Sequence, residues 1–173
     1  MNQKTAMKLF GLLGLLMLLS CGYADRHRNS SSCEQALVDS LEVRVQDSLF
    51  SNVHYSRSQL LEALTQTQDS LVYYRLLALY GKTFFVSSDF DSILYYNRRV
   101  KEFSRNASQS SESLQSPRWN DVLSDVYNIE GNVWMQLNRP DSAIIDYKKA
   151  YGYRLEGKKL HLLPDICINI ADA

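Results

Sequence analysis

An all-α body, folded as a short solenoid of antiparallel helix hairpins with no sheet, is the architecture this sequence predicts. Apolar residues recur three and four apart in segment after segment, and no stretch keeps the period-two alternation of a half-buried strand. Seven glycines and three prolines in 173 residues leave few helix breakers. One phrase is also written twice: FDSILYYNRRV (Phe90 to Val100) returns in pattern as PDSAIIDYKKA (Pro140 to Ala150). Self-similarity of this kind marks a repeat architecture.

Taken in order, residues 1–20 form a separate object. Lys4 and Lys8 precede an apolar run from Leu9 to Leu19, which is shorter than the roughly 20 residues a spanning helix needs. A positive start, a short apolar core and a small residue before the cut read as a secretory signal. Leu18-Leu19-Ser20-Cys21 resembles the lipobox of bacterial lipoproteins, which implies that Cys21 is lipidated and becomes the new N-terminus. Removing residues 1–20 takes two lysines and no acid from 19 basic and 19 acidic groups, leaving 17 and 19, net −2. Two acyl chains would anchor the protein stably. The polar tether 21–32 lacks the acidic cluster of surface-exported lipoproteins in Bacteroidetes, whose leader this one resembles. The resemblance therefore implies a lipid-anchored body of the cell envelope that faces the periplasm, on either membrane.

Residues 33–68 read as a degenerate first hairpin. Leu37, Leu41, Val45 and Leu49 recur every four residues, Asn52 to Ser56 breaks the run, and Ser58 to Gln66 is a shorter second helix. The segment 69–103 is the next unit: Asp69-Ser70 offers an N-cap, Leu71 to Phe85 is strongly apolar, and a helix starting at Asp91 or Ser92 ends near Phe103. Residues 104–120 are rich in serine and read as a loop. The unit 121–157 follows, with helices over Asp121 to Leu137 and Asp141 to about Leu155. Pro164 then suits the first turn of a last helix, 163–173.

Placing Gly81 over Gly131 puts Leu77 over Tyr127, Phe84 over Trp134, Ile93 over Ala143 and Val100 over Ala150, a spacing of 50 residues. This resembles the tetratricopeptide repeat, whose pattern joins an aromatic, a glycine and a second aromatic to small residues in the following helix. The second copy fits best through Tyr127, Gly131, Trp134, Ala143, Tyr147 and Ala150. The first keeps Gly81 and Phe84 but departs at Ile93, Asn97 and Val100. Cys167 to Ala171 begins a third copy, with Ala171 in the glycine slot. In this reading Gly81 and Gly131 let the helices of a hairpin approach closely, while Phe84, Trp134 and Tyr147 fill the remaining wedges. The chain ends inside that third copy, so we expect a piece of something longer, with self-association through the unfinished repeat.

In the geometry of that family the concave groove would be lined by Arg75, Ala78, Lys82 and Phe85, and by Asp125, Asn128, Asn132 and Met135. Arg75, Lys82, Phe85, Asn128, Asn132 and Met135 are the candidate contacts for an extended peptide or a carboxylate. Asn128 and Asn132 sit one turn apart, so both amides are expected to reach the same backbone. The alternative for these residues is an ordinary solvated helix face.

Asp-Ser-apolar occurs five times and resembles the O-glycosylation acceptor of Bacteroidetes, which makes Ser40, Ser48, Ser70, Ser92 and Ser142 candidates. Capping by Asp69, Asp91 and Asp141 is the alternative. Cys33 and Cys167 are not expected to bridge, and Cys167 reads as a small core residue. His27, His54 and His161 stand alone, so neither a metal nor another cofactor is implied. No nucleophile elbow or triad context appears, which makes the reading non-catalytic. Balanced charge without a basic run gives no reason to expect nucleic acid as a partner.

The expected function is a membrane-anchored protein-interaction module, a scaffold or sensory input resembling the periplasmic regions of Bacteroidetes sensor kinases and regulators with such repeats. The second reading is a glycan- or nutrient-capture lipoprotein beside an outer-membrane transporter, with Trp119 as the single aromatic of the serine-rich insert.

Overall fold

The structure is a computed structural model that describes residues 35–49, 51–107 and 116–173. Residues 1–34, which include the expected signal peptide, Cys21, the expected tether and Cys33, lie outside the described residues, as do Phe50 and residues 108–115 of the serine-rich segment. The described residues form seven α-helices and no strand. They are α1 (35–48), α2 (Val53–Gln66), α3 (Ser70–Lys82), α4 (Phe90–Ala107), α5 (Pro117–Gln136), α6 (Pro140–Leu155) and α7 (Leu163–Asp172). From Leu41 onward the chain belongs to one compact body. Within it α5 packs most extensively against α6, α3 against α4, α6 against α7 and α2 against α3. Short connections between such neighbours make them antiparallel hairpins.

Local chemistry explains where the helices begin. The break is shorter than expected and closes at Asn52, whose side chain caps α2 by accepting a hydrogen bond from Tyr55 N, so α2 starts at Val53 and not at Ser58. Asp69 caps α3 as expected, with Oδ1 accepting from the N–H groups of Leu71 and Val72 at 2.8 and 3.2 Å. The cap of α4 is Asp89, which accepts from Ser92 N and Ser92 Oγ, so Asp91 falls inside the first turn. Those two bonds hold the Asp89 carboxyl below its ordinary range. α6 follows Arg139 without a side-chain cap, and Asp141 contributes only its charge near the helix start.

The serine-rich segment 104–120, read as a loop, is helical over 104–107 and again from Pro117. α4 continues to Ala107, and Ser116 caps α5 by accepting from Trp119 N, with Pro117 in the first turn. Trp119, placed by the sequence in a loop, is 2% exposed and donates its Nε1–H to Ser104 Oγ at 3.0 Å. It belongs to the core shared by α3, α4 and α5, with Leu77, Val100, Leu123 and Val126.

The written repeat is a structural repeat. Ile93, Asn97 and Val100 of α4 are buried, and so are Ala143, Tyr147 and Ala150 of α6. α2 buries Ser56, Leu60 and Ala63 at the same spacing of four and then three, which brings the degenerate first hairpin into the series. Ser88 and Asn138, also 50 residues apart, both adopt left-handed backbone with φ of 52° and 56°. Each ends its helix in the same way. Ser88 N and Asp89 N donate to the carbonyls of Phe85 and Phe84, as Asn138 N and Arg139 N do to those of Met135 and Trp134.

The two glycines work as close-approach positions. A Cβ on Gly81 would stand 2.9 Å from Tyr96 Cβ, and one on Gly131 would stand 2.3 Å from the Tyr147 ring. Asn97 occupies the slot that Tyr147 fills in the second copy. Its Nδ2 donates across to Val126 O at 3.2 Å, so the first copy exchanges a filler within one hairpin for a strut to the next. Gly131→Ala is expected to lower stability by about 1–2 kcal/mol, because overpacking a buried ring outweighs the helix propensity gained. A Cβ on Gly152 meets nothing within 4 Å, so Gly152→Ala should raise stability by about 0.5–1 kcal/mol. Paired urea titrations check both signs.

Candidate functional site

The first helices of the hairpins, α3 and α5, were expected to present a polar inner face. The structure gives most of those side chains neighbours within the protein. Arg75 is not outward-pointing: its side chain is 7% exposed, and Nη2 lies 3.7 Å from Glu42 Oε2 on α1. Fifty residues later Asp125 is likewise engaged, as a partner of Arg154 Nη2. Ala78 packs against the Leu77 core, and Phe85 against the smaller core of Ile93, Ile129 and Val133, 6.4 Å from the Phe90 ring. Lys82 and Met135 remain half-buried at the ends of their helices.

The side-chain oxygens of Asn128 and Asn132 turn to different helices. Asn128 Oδ1 accepts from Asn169 Nδ2 of α7 at 3.0 Å, and Asn132 Oδ1 accepts from the Tyr147 hydroxyl of α6 at 2.9 Å. Their helical spacing is as predicted, but each amide has a different neighbouring helix beside it. Both bonds use the oxygen, so the two Nδ2 groups keep their donors.

A polar cluster that sequence reasoning missed lies where α5 begins and α6 ends. Arg154 is 1% exposed, and Nη1 donates to Asp121 Oδ1 at 2.9 Å while Nη2 pairs with Asp125. Asp121 also accepts from the backbone N–H groups of Lys158 and Lys159 at 3.0 and 3.1 Å. One carboxylate thereby organises the turn between α6 and α7. Gly157 belongs to the same device, since a Cβ there would stand 2.2 Å from Asp121 Oδ1. The four-residue spacing of Asp121 and Asp125 was a legible cue that two acids share one helix face.

On the other side of α5, Tyr127 lies between two ammonium groups, with Lys101 Nζ at 5.2 Å and Lys149 Nζ at 5.0 Å from its ring centre. It stacks on Tyr153 with centroids 5.7 Å apart. Burial, with the nearby charges of Tyr153, Glu130 and Asp146, pushes the Tyr127 hydroxyl up to about 12. Trp134 donates its Nε1–H to Asp146 Oδ2 at 2.8 Å, and Asp146 also binds Lys149. Glu130 is buried and bonded to Lys101 Nζ at 2.6 Å. Burial raises its carboxyl above the ordinary value more than the Lys101 bond lowers it.

Folding therefore favours the protonated form of Glu130 relative to the unfolded chain. Its contribution to stability should decline as pH rises from about 4.3 through the raised folded value. Glu130→Gln removes that decline. Thermal melts of both proteins between pH 4 and 7 compare the slopes.

The five candidate serines all stand on helices. Ser40 and Ser70 are exposed, while Ser48, Ser92 and Ser142 are half-buried. Ser48 Oγ is bonded to Arg44 O and to Ser56 Oγ, and Ser92 Oγ to Asp89. Cys167 is an exposed free thiol and not a core residue. Its neighbour Ile166 takes the buried position, while Ile168 and Ala171 are exposed.

Among the described residues no group of His, Cys, Asp and Glu is placed to hold a metal ion, and no helix is long and apolar enough to cross a membrane. Comparison of the chain with protein-family models, with curated proteins and with solved structures gives no significant match.

Proposed function

We propose that the chain is a protein-binding module of the tetratricopeptide type, held at a membrane through lipid on Cys21 and facing the periplasm. Its role is that of a scaffold or a sensory input region. The observation that carries this reading is the fixed pair of amides on α5. Asn128 and Asn132 are each anchored by their oxygen to another helix, which orients two Nδ2 donors one turn apart on one helix. Preorganised donors lose little entropy on meeting a peptide backbone. The repeated small and apolar packing positions supply the rigid frame that such a surface needs.

Screening the full chain against an array of extended eight-residue peptides tests the reading. Binders should lose at least tenfold in affinity on the Asn128→Ala/Asn132→Ala double substitution, with helicity retained. An array without binders, or binders indifferent to that substitution, defeats it. The anchor has its own test: labelled fatty acid should enter the protein in the native host and vanish with Cys21→Ser.

A further inference from the structure

Tyr95, Arg99 and Phe103 follow one another at four-residue intervals on α4 and therefore share one helix face. Phe103 stacks on Tyr74 of α3 at 4.0 Å, and Tyr73 meets Tyr74 edge-on at 5.2 Å. The Arg99 guanidinium lies 6.0 Å from the centre of the Tyr95 ring. Two helices thus bring three phenols around one cation. Burial opposes the charge on Arg99, but the phenols of Tyr73, Tyr95 and Tyr74 outweigh it and raise its pKa. No carboxylate of the described residues forms an ion pair with this guanidinium, whereas Arg154 is matched by Asp121 and Asp125. The cluster is open to water: Tyr95 is 53% exposed, and Tyr73, Tyr74 and Arg99 are half-buried.

We propose that Arg99, with the hydroxyls of Tyr73, Tyr74 and Tyr95, binds a phosphate group on the α3–α4 hairpin. The chemistry selects an oxyanion, because a guanidinium only donates and each neutral phenol has an O–H to give. A carboxylate fills the guanidinium fork with its two oxygens, whereas phosphate keeps further oxygens for hydroxyls that arrive from the other helix. The stacked and edge-on contacts already hold the Tyr73 and Tyr74 rings, so little freedom is lost when an anion arrives. A lipid headgroup and a small soluble phosphate compound offer the same oxygens, and the test separates them.

Calorimetric titration of the full chain uses three probes: inorganic phosphate, a water-soluble short-chain phosphatidylglycerol below its micellar concentration, and acetate. One of the two phosphate probes should bind saturably, and acetate at least about tenfold more weakly. Arg99→Gln should weaken that binding by about tenfold or more, and Tyr95→Phe by about threefold, with helicity retained. The Asn128→Ala/Asn132→Ala chain should bind it unchanged, which keeps a failure of the peptide reading distinct from a failure of this one. Tighter binding of inorganic phosphate assigns the site to a soluble phosphate compound, and tighter binding of the lipid assigns it to a membrane headgroup. No saturable binding of either phosphate probe, acetate binding as tightly, or affinity indifferent to both substitutions overturns the site. Should Arg99→Gln not fold, Tyr95→Phe at its exposed position decides alone, and unchanged affinity there overturns the proposal.

Discussion

Replacing Asp121 with alanine should lower stability by about 3–5 kcal/mol, the cost of breaking a buried ion pair from one side. Three losses coincide. Arg154 is buried and would keep only Asp125, whose side chain is 35% exposed. The backbone N–H groups of Lys158 and Lys159 would lose the acceptor that shapes the turn. The contact that requires glycine at position 157 would disappear as well. Asp121→Asn keeps one oxygen for this network and should cost less. Urea titration followed by circular dichroism measures the difference. A loss below about 1 kcal/mol for the alanine variant would mean that Asp125 and solvent satisfy Arg154 unaided.

Trp119→Ala should be comparably severe, at about 3–5 kcal/mol, since it empties the centre of the core joining α3, α4 and α5. Phe103 meets the indole edge-on at 5.7 Å and is itself stacked on Tyr74 at 4.0 Å, so the vacancy would open beneath an aromatic column. Trp119→Phe separates the two contributions. It retains most of the packing and gives up the bond to Ser104, for a cost of about 1–1.5 kcal/mol. Melting temperatures should fall by roughly 10–15 °C and by a few degrees respectively. The burial that makes Trp119 structural also removes it from the sugar-stacking role that the glycan-capture reading needed.

Features encoded by neighbours along the chain are legible in the amino-acid order itself. The helical phase of Ile93 and Val100, the small residues Ala143 and Ala150, the cap at Asp69 and the end of α6 at Leu155 depend on contacts within a few residues or one hairpin. Ser116-Pro117 was readable by the same rule, as a cap followed by a first-turn proline, but the surrounding serines drew the boundary to Asp121. Arg75 was misplaced because an outward register on one helix becomes an inward one when α1 packs beside it. Exposure depends on a third element that helical period does not encode. The oxygens of Asn128 and Asn132 part for the same reason, each finding a different helix. Cys167 looked like core because both its neighbours are isoleucines, yet of the three only Ile166 is buried. A pairing across a long separation, such as Lys159 with Glu42, leaves no local trace.

That pairing bears on the order of assembly. Hairpins can zip as soon as each turn exists, but Glu42 must wait until Lys159 has been made and its turn set by Asp121. In refolding kinetics, tryptophan fluorescence should therefore reach its final value before amide protection spreads over 41–48. The opening helix would be the last piece to settle, and under mild denaturant the first to come away.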